Sequence, residues 1–165
     1  MAAPYHGRCL CGAICFRVTV EPVTVYACHC TDCQRRTGSA FALSMIVRRS
    51  GVEVLQGTVA KYSAALPDGR TKSGSICAAC GTRLWGEPKN SPFVVVQPGT
   101  LEQPTGLAPI AHQWVRSAQP WFVFPAGVKI YETQPDDPAE KVSLWRQATE
   151  RNGQDATFGH SGVQR

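Results

Sequence analysis

Hydrophobic and polar residues alternate along "AICFRVTV": Ile14, Phe16, Val18 and Val20 fall on one side, and Cys15, Arg17 and Thr19 on the other. A period of two predicts a half-buried strand. "AFALSMIV", Ala40 to Val47, is apolar on both sides and predicts a strand covered on both faces, and "VEVLQG" predicts a short strand after a Ser50–Gly51 turn. "FVVVQPG", "PWFVFPAG" and "VKIYET" read as further strands between Pro/Gly turns, and Pro67, Asp68 and Gly69 build the loop in "ALPDGRT". Only "DPAEKVSLWRQATER" reads convincingly as a helix. Asp137 is its N-cap, Pro138 takes its first position and Glu140 completes a capping box. The stripe Val142, Trp145, Ala148 docks it, and Gly153 is placed to end it before a polar tail to Arg165.

Composition supports that picture. The chain has 165 residues, 43% hydrophobic and 18% charged, which suits one globular domain and excludes a disordered one. Fifteen glycines and twelve prolines favour many short strands and turns. No apolar run approaches a membrane span, and "MAAPYHGRC" lacks the basic start and apolar stretch of a signal peptide. The expectation is a cytoplasmic protein. In that reducing compartment, eight cysteines serve as metal ligands or free thiols rather than disulfides.

The cysteines are grouped. Cys9 and Cys11 form C-x-C, Cys28, Cys30 and Cys33 form C-x-C-x-x-C, and Cys77 and Cys80 form C-x-x-C. A C-x-x-C turn aims two sulfurs at one metal, and a C-x-C pair on an extended chain points both the same way. Cys9, Cys11, Cys77 and Cys80 make one complete Cys₄ set for zinc, the redox-silent default for thiolates. Cys28, Cys30 and Cys33 remain as a three-sulfur set, the pattern of a catalytic zinc with one exchangeable position. The alternative is a purely structural second zinc closed by Cys15 or His29. Cys15 shares the Arg17/Thr19 side of its strand and reads as a half-exposed free thiol, and His29 between two ligands points away from the metal on an extended chain. His6, His112 and His160 are expected to be structural.

Two zinc ions change the meaning of the charge. Seven thiolates take the formal +5 down to −2, and two Zn²⁺ return it to +2. With no block of basic residues interleaved with aromatics, nucleic acid is not the expected partner. A three-thiolate zinc carries net −1, so it is a weak activator of water. It can still hold a further thiol as thiolate. That chemistry favours a thiol attacking a small electrophilic carbon over hydrolysis.

The stretches "YHGRCLCGAICFRV", "ACHCTDCQRRTGSAFA", "ICAACGTRLW" and "AHQWVRSAQPW" together resemble the glutathione-dependent formaldehyde-activating (GFA) family, also called the CENP-V/GFA domain. The resemblance covers residues 6–134 as a zinc-binding domain and leaves 135–165 as a C-terminal helix and tail. It implies a β-tent fold of small antiparallel sheets built around zinc. It also implies structural zinc on Cys9, Cys11, Cys77 and Cys80, and catalytic zinc on Cys28, Cys30 and Cys33. The implied activity is that of a carbon–sulfur lyase joining formaldehyde to glutathione as the S-hydroxymethyl adduct. The partners are then a small-molecule thiol and an aldehyde. A non-catalytic zinc scaffold and a thiol or metal sensor are the rival classes.

Arg35 and Arg36 directly follow Cys33 and are candidates to bind the carboxylates of glutathione. Thr37, Gly38 and Ser39 read as an ordinary turn, and Phe41, Trp85, Trp114 and Trp121 as core.

Overall fold

The computed structural model describes residues 3–155. In chain order the strands are β1 (Tyr5–Arg8), β2 (Cys15–Val18), β3 (Thr24–Cys28), β4 (Ala42–Arg48), β5 (Val52–Gln56), β6 (Ala60–Ala65), β7 (Thr71–Ile76), β8 (Arg83–Gly86), β9 (Phe93–Val96), β10 (Ala111–Gln113) and β11 (Lys129–Tyr131). Helix α1 (Thr31–Thr37) lies between β3 and β4, and α2 (Ala139–Asp155) follows β11. The fold is mainly β. A three-stranded antiparallel sheet has the order β1-β2-β5, and a larger sheet runs β11-β10-β3-β4-β9-β8-β7-β6. The larger sheet is antiparallel except where β10 pairs in parallel with β3 and β11.

The alternation of "AICFRVTV" is realised. Phe16 and Val18 are fully buried while Cys15 and Arg17 are half-exposed. They join Val25, Met45, Val47, Leu84, Val94 and Val96 in one core between the sheets. Trp85 is core as expected, edge-on to Phe16 at 5.4 Å. The Pro67–Gly69 loop is the turn of the β6–β7 hairpin, closed by Leu66 N–H to Arg70 C=O at 2.8 Å.

Helix α2 keeps its N-cap, since Asp137 Oδ1 accepts from Ala139 N–H at 2.8 Å. Its capping box does not form as expected: the Glu140 carboxylate goes to Lys129 Nζ at 3.1 Å, because β11 offers a cation within reach. The helix also runs past Gly153 to Asp155. Trp145 is buried against the core with Val142 and Ala148 half-buried beside it, so the expected stripe docks the helix. Among the described residues no helix is long and apolar enough to cross a membrane. The tail beyond Asp155, with His160, lies outside the described residues.

"PWFVFPAG" is not a strand. It is a loop in which Phe122 and Phe124 pack against two histidines while Trp121 and Val123 face out, 69% and 85% exposed. Its alternation is real, but with proline at both ends no neighbouring strand pairs it. Trp121 is therefore not core.

Candidate metal centres

The four-sulfur group is built from two turns. Gly12 N–H donates to Cys9 C=O at 3.1 Å and Gly81 N–H to Cys77 C=O at 2.9 Å. Gly12 and Gly81 have φ of +78° and +71°, which only glycine adopts cheaply. The Cys9–Cys11 pair thus sits on a turn rather than on the extended chain that its spacing suggested. The turns bring the Sγ atoms of Cys9, Cys11, Cys77 and Cys80 within 4.8 Å of one another. Cys9 to Cys11 is 3.5 Å and Cys11 to Cys77 is 3.8 Å. A tetrahedron of sulfurs about 2.3 Å from zinc has edges of about 3.8 Å, so the donor set fits that ion. Ile14 N–H donates to Cys9 Sγ at 3.3 Å, and Thr82 Oγ1 lies 3.0 Å from Cys80 Sγ.

The three-sulfur group arises where β3 passes into α1. Cys28 ends the strand, and Cys30 is the N-cap of the helix, in extended backbone with φ −62° and ψ 150°. The Cys30 Sγ takes the usual role of a capping oxygen and accepts from Cys33 N–H at 3.4 Å. Cap geometry therefore turns both sulfurs inward, and the Sγ atoms of Cys28, Cys30 and Cys33 also lie within 4.8 Å of one another. No other described His, Asp, Glu or Cys joins this set. Each sulfur accepts from an N–H group: Cys28 from Gln113 Nε2 at 3.6 Å, Cys30 from the Cys33 backbone, and Cys33 from Arg36 Nη2 at 3.6 Å. Hydrogen bonds from Cys28 and Cys33 hold the Cys30 thiol down, while those two are pushed up in return. A divalent metal bound there would favour the thiolate form of all three.

Strand pleat explains what surrounds each cysteine. Gln113 is paired with Cys28 and His112 with Ala27, so Tyr26, Cys28 and Gln113 share one face of the sheet, with Ala27, His29 and His112 on the other. On that second face His29 is fully buried, with its Nε2 2.8 Å from His112 Nδ1 and its ring against Phe41, Phe122 and Phe124. Burial first, and then the His112 charge, lowers His29 to about 4, so it is neutral at pH 7. His29 is thus a hydrogen-bonding neighbour, directed to His112 rather than to the sulfurs. Phe41 is half-buried over this pair.

On the first face the three sulfurs line a cavity of about 600 Å³ whose walls include Arg36, Lys72, Lys89, Trp114 and Arg116. Arg70 also reaches it, but is paired with Asp32 at 2.9 Å and with Asp68. Glu87 is paired with Lys61 and Arg49, and accepts from Ser75 Oγ and Trp85 Nε1. Burial opposes its ionisation, but these donors hold its carboxyl at about 2. The structure separates the two arginines after Cys33. Arg36 is half-buried in the cavity wall, whereas Arg35 is exposed and lines none of it. Trp114, expected in the core, is half-buried in the cavity wall with φ +59°, and the Arg116 guanidinium lies 4.9 Å over its ring. Thr37–Ser39 is the turn that was expected, with Gly38 as the left-handed cap of α1. Cys15 stays outside both sulfur groups, half-exposed.

Sequence reasoning did not single out Gln113, Lys72, Arg116 or Lys141. Lys141 is a buried residue of α2 whose Nζ donates to Gln113 Oε1 at 2.6 Å. Each is a lone residue without local periodicity or spacing, visible only once the register of β10 and the docking of α2 are known.

The family model described as glutathione-dependent formaldehyde-activating enzyme matches residues 4–117. That span holds all eight cysteines and ends before α2. Among solved structures, a Rhodobacter sphaeroides protein is similar to this chain with TM-score 0.50 and 23% identity, over 66% of this chain and 99% of that one. That likeness concerns the fold.

Proposed function

The chain belongs to the glutathione-dependent formaldehyde-activating family, and on that premise we propose that it is a zinc-dependent enzyme of the carbon–sulfur lyase type, acting on glutathione and a small aldehyde such as formaldehyde. The observation that carries this reading is the three-sulfur group in a cationic cavity with no fourth protein ligand among the described residues. Cys9, Cys11, Cys77 and Cys80 would hold a structural zinc. Cys28, Cys30 and Cys33 would hold a second zinc, a Lewis acid that keeps a co-substrate thiol ionised at neutral pH.

The chain's own residues supply the rest. Arg36, with Lys72 and Arg116, binds the carboxylates of glutathione; Arg35 faces solvent and takes no part. Trp114 forms an apolar wall for the peptide stem. The N–H donors from Gln113, Cys33 and Arg36 spread the sulfur charge and hold the three ligands in place. In the reaction the thiol sulfur bonds to the aldehyde carbon, and the carbonyl oxygen takes up the proton that the thiol gives up, leaving a hydroxymethyl thioether.

The test is X-ray absorption at the zinc edge of protein carrying two zinc ions, with and without glutathione. The second site is expected to change from three sulfurs and one oxygen to four sulfurs, and the adduct to form faster than in the uncatalysed reaction. An unchanged shell would refute the enzyme reading and favour a zinc scaffold.

A further inference from the structure

Helix α2 turns one charged side chain inward. Lys141 is 8% exposed and lies one helical turn before Trp145, on the face that packs against β3. Thr24 Oγ1 donates to the Lys141 carbonyl at 3.1 Å and fixes the helix at that point. The ammonium lies 3.9 Å from the centroid of the Tyr26 ring and donates to Gln113 Oε1 at 2.6 Å. Gln113 Nε2 donates in turn to Cys28 Sγ at 3.6 Å.

Donor and acceptor chemistry leaves this chain one direction. An ammonium only donates, so it must face the amide oxygen, and the amide NH₂ is thereby turned to the sulfur. Lys141 forms no ion pair with a carboxylate among the described residues. A buried cation without such a partner needs a counter-charge close by. Three thiolates around a divalent ion, with net charge −1, are that counter-charge. Burial pushes the ammonium down to about 8 and the Cys28 charge opposes this, so it remains protonated at neutral pH.

We propose that Lys141 is a positioning residue of the three-sulfur metal site: it fixes Gln113 as an N–H donor to Cys28 and supplies the positive charge that balances the thiolates. The inference rests on the reading of Cys28, Cys30 and Cys33 as metal ligands. It makes α2, which lies beyond the residues matched by the family, a working part of the site.

Full-length protein with two zinc ions is titrated with a competing chelator, and the looser equivalent is then replaced by cobalt(II). In Lys141→Met the affinity of the looser equivalent falls about 10-fold or more, while the tighter one is unchanged. The sulfur-to-cobalt charge-transfer band moves to lower energy, because the Cys28 thiolate has lost its donor. Lys141→Arg restores most of both. Gln113→Glu keeps Lys141 paired, and the helix docked, but turns an acceptor oxygen to Cys28; it loses affinity as well. A lysine that merely packs the helix would leave the band and the affinity unchanged in the isosteric Met variant. Binding within about twofold of wild type in both Lys141→Met and Gln113→Glu overturns the proposal. A wild-type chain that binds only one metal overturns the metal reading itself, and this inference with it.

Discussion

The two sulfur groups are built in opposite ways. The four-sulfur group joins turns far apart in the chain, and its ligands complete one another; Cys9 and Cys77 are buried in the core cluster. The three-sulfur group is local, running from Cys28 to Cys33, and its N–H donors Arg36 and Gln113 lie outside that span, the latter on another strand. One group holds the two sheets' connections together. The other is held, from behind and from the side, by parts of the fold that it does not itself organise. A metal in the first is a structural bond, whereas a metal in the second is presented to a cavity. The contrast shows how one ligand type serves two purposes, with the surroundings deciding which.

The largest expected effect separates the groups directly. Cys77→Ser removes one ligand of the structural zinc proposed between β1 and β8 and is expected to destabilise the fold by ~5 kcal/mol or more, lowering the melting temperature by about 10–20 °C. Cys30→Ser remains folded with one zinc per chain and no activity. Thermal unfolding with metal analysis checks both, and equal destabilisation would erase the contrast.

Next in size is Trp145→Ala, which empties the buried seat of α2 and costs ~3–4 kcal/mol. If the second site depends on the helix behind it, zinc affinity falls there and is unchanged at the four-sulfur site, which chelator competition reads out. The arginine pair gives a smaller effect. Arg36→Gln raises the KM for glutathione about 10-fold, the loss of one charge-assisted hydrogen bond, and Arg35→Gln leaves it unchanged. Equal effects would return the two to a shared role.

The smallest effect concerns Glu87, which ties the cavity rim to Ser75 and Trp85. Its folded pKa, about 2, lies below the ordinary 4.5, so its contribution is complete above that value and lost as pH falls toward 2. The advantage of wild type over Glu87→Gln, ~1–2 kcal/mol once screening by solvent is allowed for, is expected to be flat above pH 5 and to shrink below it in urea titrations.

Spacing alone grouped seven cysteines correctly, because the chelating turn is a local property of the chain. Strand β2 and helix α2 were legible for the same reason, one through its alternation and the other through its cap. Helix α1 was not: it is short and polar, and its N-cap is a thiol rather than a hydroxyl or carboxylate. β6 is mostly exposed and β7, TKSGSI, is polar or small at all but its last residue, so neither has an apolar face to betray it. Phe122 and Phe124 were mistaken for strand residues because alternation records which side is buried, not whether a neighbour pairs. Lys141 carries no local mark at all. Its role comes from a helix that docks on β3, and from a β10 register that no single stretch encodes.

The different spans of the two sulfur groups also fix an order of events during synthesis. The three-sulfur set is complete once Cys33 has left the ribosome, whereas the four-sulfur set must wait for Cys80. In that interval the emerging chain is already a thiol chelator with no fold around it. A metal that also binds these three sulfurs in the unfolded chain would add to stability only the difference between its folded and unfolded affinities. Closure between Cys9, Cys11 and the late pair comes after a long loop has been paid out, at a cost in chain entropy that grows only slowly with length. With metal on the four-sulfur group, that closure would be the step after which β1 and β8 could part only by breaking metal–sulfur bonds.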